Sequence, residues 1–237
     1  MERTDATSFK TIAGLMIPYS LFLAALYLLA YWQPLGLMPF HYANVADLGA
    51  AALAGMATSF VGLVVGVGGG LLLGRILPDP PKHAGKYIFW TFTITSVIVI
   101  PIIWLFWDSP LKWFLIGMFA SFLAMPVLMA VPLLAQLVDD DHVRPILIVA
   151  IAYIPAFMYG YGSRSVSDVL NPNRGVQIDT ERSDLGQRTF GQVKYAGMLG
   201  NFHVAYEPKT KRTLLIPSDA RLTIVAVKSL QLSPGQK

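Results

Sequence analysis

Asp139, Asp140, Asp141 and His142 form the one acidic run in this chain. Hard cations such as Ca²⁺ and Mg²⁺ take oxygen ligands, so a metal contact is the first chemistry to weigh there. Adjacent residues on one short connection rarely converge on a single ion. The run therefore reads as a solvated connection with Arg144 as its counter-charge. The other histidines, His41, His83 and His203, are scattered and share no metal-ligand spacing. No nucleophile elbow, HExxH, Walker A or paired-carboxylate motif occurs. The chain has no cysteine, which removes thiolate ligands, disulfides and haem attachment. Thr91 and Thr95 share a helical face that could line a wet path, although such hydroxyls more often bond back to the preceding turn. No cofactor or metal is expected, and no constellation argues for catalysis.

Lys209, Lys211 and Arg212 cluster in the run Glu207-Pro208-Lys209-Thr210-Lys211-Arg212, which reads as a hairpin tip. The three cations could meet lipid phosphates or a protein partner; a solvated turn is the plainer reading. Val65 to Gly74 does not make a dinucleotide fingerprint. Leu71 stands where the third glycine belongs after Gly66 and Gly68, and no strand precedes it. Nothing signals direct nucleic-acid binding.

The glycines themselves are the stronger pattern. Gly62, Gly66, Gly70 and Gly74 recur at every fourth position, and the register runs back through Thr58, Ala54 and Ala50. A second small row, Ala51, Gly55 and Ser59, lies beside it. Each glycine costs a helix about 1 kcal/mol relative to alanine, so the run needs a compensating reason. Close backbone approach of a second helix supplies one. Such a row drifts about 40° per step around a helix, so one straight partner cannot follow all of it. A right-handed crossing centred on Gly66 to Gly70 is expected, with the partner helix in the same chain or in a second copy.

These positions must be carried by helices. Of 237 residues, 54% are hydrophobic and only 14% charged, where a soluble domain carries about a quarter. Crossing a ~30 Å hydrocarbon core takes about 20 apolar residues. Charge-poor stretches near that length cover about 11–32, 48–74, 87–107, 113–138 and 145–163. Aromatic residues group at their ends, including Tyr31, Trp32, Trp104, Trp107 and Trp113, as at a headgroup boundary. No stretch interior holds Asp, Glu, Lys, Arg or His, which argues against a proton-driven transporter. Pro18, Pro101, Pro126, Pro132 and Pro155 fall inside them as candidate kinks. The expected architecture is a membrane all-α bundle of four or five transmembrane helices over 1–163, in contact with membrane lipids. Lys and Arg in the connections put the N-terminus on the cytoplasmic side and leave the side of the C-terminal domain open.

Residues 164–237 differ in kind. They hold 11 of the 18 Lys and Arg and 6 of the 14 Asp and Glu. Asn171-Pro172-Asn173 is turn-rich, and β-like runs follow at 175–179, 189–198, 202–206, 213–217 and 222–227. A small all-β domain, an SH3-like or Sm-like barrel, is expected. A domain of this size is marginal alone and gains from docking onto a neighbour.

Together these features predict a non-enzymatic integral membrane protein that forms a homo-oligomer through its glycine-rich helix. Its β domain would serve as a sensor or as the docking module for a soluble protein partner. A channel is the alternative. The glycine-rich helix and small β domain look like those of small-conductance mechanosensitive channels, although here three apolar stretches intervene between them. A second alternative is a membrane subunit of a multi-protein complex. Bacterial defence complexes such as Kiwa share that outline, with no residue motif carrying the likeness.

Overall fold

The computed structural model describes residues 3–76, 84–130, 143–171, 174–179, 183 and 192–226. Among them are five α-helices: α1 Arg3–Trp32, α2 Val45–Ile76, α3 Ala84–Phe106, α4 Lys112–Met129 and α5 Val143–Leu170. Five strands follow: β1 Val176–Ile178, β2 Val193–Leu199, β3 Phe202–Glu207, β4 Arg212–Pro217 and β5 Ile224–Ala226. Two compact units result. The helical unit is Met1–Tyr27 with Gly49–Tyr161; the sheet unit is Leu28–Leu48 with Gly162–Lys237.

In the helical unit, Leu23, Ile154 and Met158 are buried together, with Tyr19, Tyr27 and Phe157 packed on them. The Tyr19 hydroxyl donates to the Ile151 carbonyl at 2.7 Å, which lets a phenol sit in that core. Helices α3 and α4 form a hairpin, turned by Asp108-Ser109-Pro110. Lys112 N–H donates to Ser109 O at 2.9 Å to start α4. Phe92 and Phe122 stack across the hairpin at 4.7 Å. The buried hydroxyls of Ser96 and Ser121 each donate to the carbonyl four residues back, Phe92 and Gly117, at 2.7 Å. Such back-bonding satisfies a buried hydroxyl within its own helix. Pro18, Pro101, Pro126 and Pro155 lie inside helices that continue through them. Pro132 lies outside the described residues.

Among the described residues, no helix is long and apolar enough to cross a membrane. The expectation of a membrane bundle with four or five transmembrane helices, and the integral multi-pass localisation built on it, is corrected on that finding. Two helices depart from the expected spans in length or charge. Helix α4 has 18 residues and begins on Lys112. Helix α5 does not stop at Ser163 but runs on through Arg164 and Asp168 to Leu170. Its tail is amphipathic: Val166 and Val169 are buried while Arg164 and Asp168 are exposed.

The sheet unit is one antiparallel sheet in the order β4-β3-β2-β1-β5. Strands β1 to β4 are a meander, and β5 returns to pair with β1 (Ile178 opposite Ile224). The expected SH3-like or Sm-like barrel is corrected here. Among the described residues β4 and β5 are edges, and no ladder joins them to close the sheet. Alternation explains the two faces. On one, Ile178, Val193, Ala205 and Ile216 form a core with Tyr195, Leu214, Ala220 and Leu222 around it. The other face meets the segment between α1 and α2. The Tyr42 and Phe202 rings meet edge to face at 6.3 Å, and the Thr213 hydroxyl donates to Leu35 O at 2.5 Å. Antiparallel sheets commonly leave one face to solvent; here both are packed.

Candidate assembly face and sheet anchors

The small-residue rows of α2 separate by environment. Ala51 and Gly55 are buried, and a methyl on Gly55 would stand 3.3 Å from Leu23 Cβ and 3.7 Å from the Met158 methyl. That row packs within its own chain. Ala50 and Ala54, one position earlier in each turn, are exposed. Thr58 is half-buried and its hydroxyl donates to Ala54 O at 2.8 Å, so it makes its own polar atom safe on an apolar face. Leu53, Val61 and Val64 beside this row are 67%, 60% and 52% exposed. Gly62, Gly66, Gly70 and Gly74 continue the same i+4 register within the helical backbone of α2. Their surroundings lie outside the described residues.

Two glycines that the sequence reading passed over make the closest helix contacts described. A methyl on Gly117 of α4 would lie 2.6 Å from Ala156 Cβ on α5, and one on Gly160 of α5 would lie 2.9 Å from Trp113 Cβ. Both distances are forbidden, so the absent side chains set the approach of α4 and α5. A signal existed: Gly117 with Ser121 and Ala156 with Gly160 are small-xxx-small pairs. They were masked by the longer row in α2.

In the sheet unit the polar side chains work as anchors. Asn44 and Asp47 make a reciprocal capping box at the start of α2: Asn44 N–H donates to Asp47 Oδ2 at 3.0 Å, and Asp47 N–H to Asn44 Oδ1 at 2.9 Å. The same carboxylate accepts the Gly200 N–H at 2.6 Å. Gly200 has φ +60°, and a methyl there would lie 2.0 Å from the Tyr42 carbonyl oxygen, so only glycine fits. At the other end of β2, Lys194 is 1% exposed and its ammonium donates to the carbonyls of Asn171 and Arg174, just past the end of α5. A cation placed just past the C-terminus of a helix complements the helix dipole. Burial pushes its pKa below the ordinary lysine value, and Asp168 pulls the other way. Between these two, β2 slips register at Tyr195/Gly197, and the Tyr31 hydroxyl donates to the Ala196 carbonyl at 2.5 Å. The bulge frees that carbonyl from the ladder, and α1 takes it up.

Lys209, Lys211 and Arg212 sit at the β3–β4 tip, all exposed, with the Thr210 hydroxyl donating to Glu207 at 2.5 Å. The tip keeps one carboxylate among its three cations. His203 Nδ1 lies 3.2 Å from the Tyr195 hydroxyl, a pairing within the sheet rather than a metal site. His41 is exposed in a short 3-10 turn. Asp139, Asp140, Asp141, His142 and His83 lie outside the described residues. Among the described residues no group of His, Cys, Asp or Glu could hold a metal ion. Comparisons with family models, curated proteins and solved structures give no match.

Proposed function

We propose that this chain is a non-enzymatic assembly protein: it self-associates through α2 and presents its sheet unit as a sensor or docking module. The observation that carries this is the split between the two small rows of α2. The Ala51/Gly55 row is filled by Leu23 and Met158 of its own chain. Ala50 and Ala54, which begin the other row, are exposed, with Leu53, Val61 and Val64 exposed beside them. Large apolar side chains beside a smooth row need cover, and monomers rarely leave such a surface open. A second copy is the occupant that matches, because the helix carries no charge between Asp47 and Arg75 to select a charged partner.

The test is the mass of the full chain, with and without a mild detergent, for the parent and for the Gly66→Leu/Gly70→Leu variant. The reading expects an oligomer in the parent and a monomer in the variant. A parent that is monomeric, with detergent or lipid covering the face instead, overturns it. So does a variant that keeps the parent's mass.

A further inference from the structure

Strand β2 carries three anchors within seven residues, and each goes to the end of a different helix. Lys194 holds the carbonyls of Asn171 and Arg174, in the turn that follows α5. The Ala196 carbonyl receives Tyr31 from the last turn of α1, and Trp32 reaches within 3.7 Å of the β-carbon position of Gly197. Gly200, in the turn that closes β2, gives its N–H to Asp47 in the first turn of α2. From Lys194 to Gly200 the strand is only about 20 Å long at ~3.3 Å per residue. It is also an interior strand, laddered to β1 on one side and β3 on the other. A strand held on both edges cannot bend at one anchor without shifting its neighbours.

We infer that β2 is a coupling strand, tying the ends of α1, α2 and α5 so that loosening any one loosens the other two. It gives the sheet unit a way to transmit an event at the sheet to three helices at once. The inference stands on the anchors alone and does not depend on self-association. The anchors differ in kind, namely a buried ammonium, a phenol and a carboxylate, and none sits on an edge strand. A merely decorative set of surface bonds would not share one interior strand. Gly200 and the bulge at Ala196–Gly197 are the two places where β2 departs from regular geometry, and each serves an anchor.

Hydrogen exchange on the full chain tests this. The reporters are backbone bonds at each helix end: Leu37 N–H to Trp32 O after α1, Leu48 N–H to Asn44 O in α2, and Asn171 N–H to Ser167 O in α5. Phe114 N–H, bonded to Leu111 O in the helical unit, is the control. In Lys194→Met, exchange at Leu37 and Leu48 should rise at least three-fold together with that at Asn171, with Phe114 unchanged. The milder Tyr31→Phe should raise Leu48 and Asn171 in the same way, and it serves alone if the lysine variant does not fold. A rise confined to the helix end whose anchor was removed overturns the inference. An equal rise at Phe114 also overturns it, because that reports general unfolding.

Discussion

Gly200→Ala isolates the tightest point of the sheet unit. Two costs add. The residue sits at φ +60°, where an L side chain loses roughly 1–2 kcal/mol. The new methyl would also stand 2.0 Å from Tyr42 O, so the turn must move away from the segment before α2. That movement breaks the 2.6 Å bond from Gly200 N–H to the Asp47 carboxylate. A hydrogen bond to a charged group is worth about 1.5–3 kcal/mol. The sum is about 2.5–5 kcal/mol, a large part of the roughly 5–15 kcal/mol that holds a typical domain folded. Gly36→Ala is the matched control. Gly36 has φ +76° but nothing within 4 Å of its β-carbon position, so only the conformational cost applies. Urea unfolding followed by exchange of β2 and β3 amides gives both values. The reasoning is refuted if Gly200→Ala costs no more than Gly36→Ala.

Other outcomes follow from the same contacts. Gly117→Ala should destabilise the helical unit by about 1–3 kcal/mol through overpacking, and Ala156→Gly in the same chain should recover most of that loss by removing the facing methyl; thermal melts of the singles and the double check this. Lys194→Met should cost about 1–3 kcal/mol at neutral pH, because the carbonyls of Asn171 and Arg174 just past α5 lose the ammonium, although Asn171 O keeps the Arg174 N–H. The lowered pKa of Lys194 means that the folded chain binds fewer protons than the unfolded one just below pH 10.5, so parent stability gains a rising contribution through that window. Lys194→Met lacks that contribution, and the gap between the two proteins should widen as the pH rises toward 10.5 in urea titrations. Reversing the exposed tip with Lys209→Glu and Lys211→Glu should leave stability within about 0.5 kcal/mol, as substitutions of exposed residues usually do.

Much of the element order was legible. Among the described residues the apolar runs fall on five helices and the alternating runs on five strands, because both periodicities are written locally. The reading of those helices as membrane spans is the part that failed. The tip at Glu207 to Arg212 was legible for the same reason. What was not legible depends on partners distant in sequence. Arg164 looked like the end of a helix, yet α5 continues past it to Leu170, with Val166 and Val169 buried on one side of that tail. Lys194 looked like one more cation of a basic domain, and its burial depends on two carbonyls 20 and 23 residues away. Tyr31 and Trp32 read as an interface belt. They instead pack on the bulge of β2, with Tyr31 bonded to Ala196 and Trp32 near Gly197. The two rows of α2 were both visible as patterns. Only the structure separates the row that Leu23 and Met158 fill from the row left exposed.

That separation permits a direct test of self-association, and the absence of cysteine makes the chain a clean background for it. Ala54→Cys and Ala51→Cys, each made alone, place a thiol on the exposed row and on the buried row. Treatment with a short bismaleimide, followed by denaturing electrophoresis, reads contact between copies. The account predicts a covalent dimer from Ala54→Cys and none from Ala51→Cys. No dimer from Ala54→Cys, or equal dimer from both positions, would contradict it.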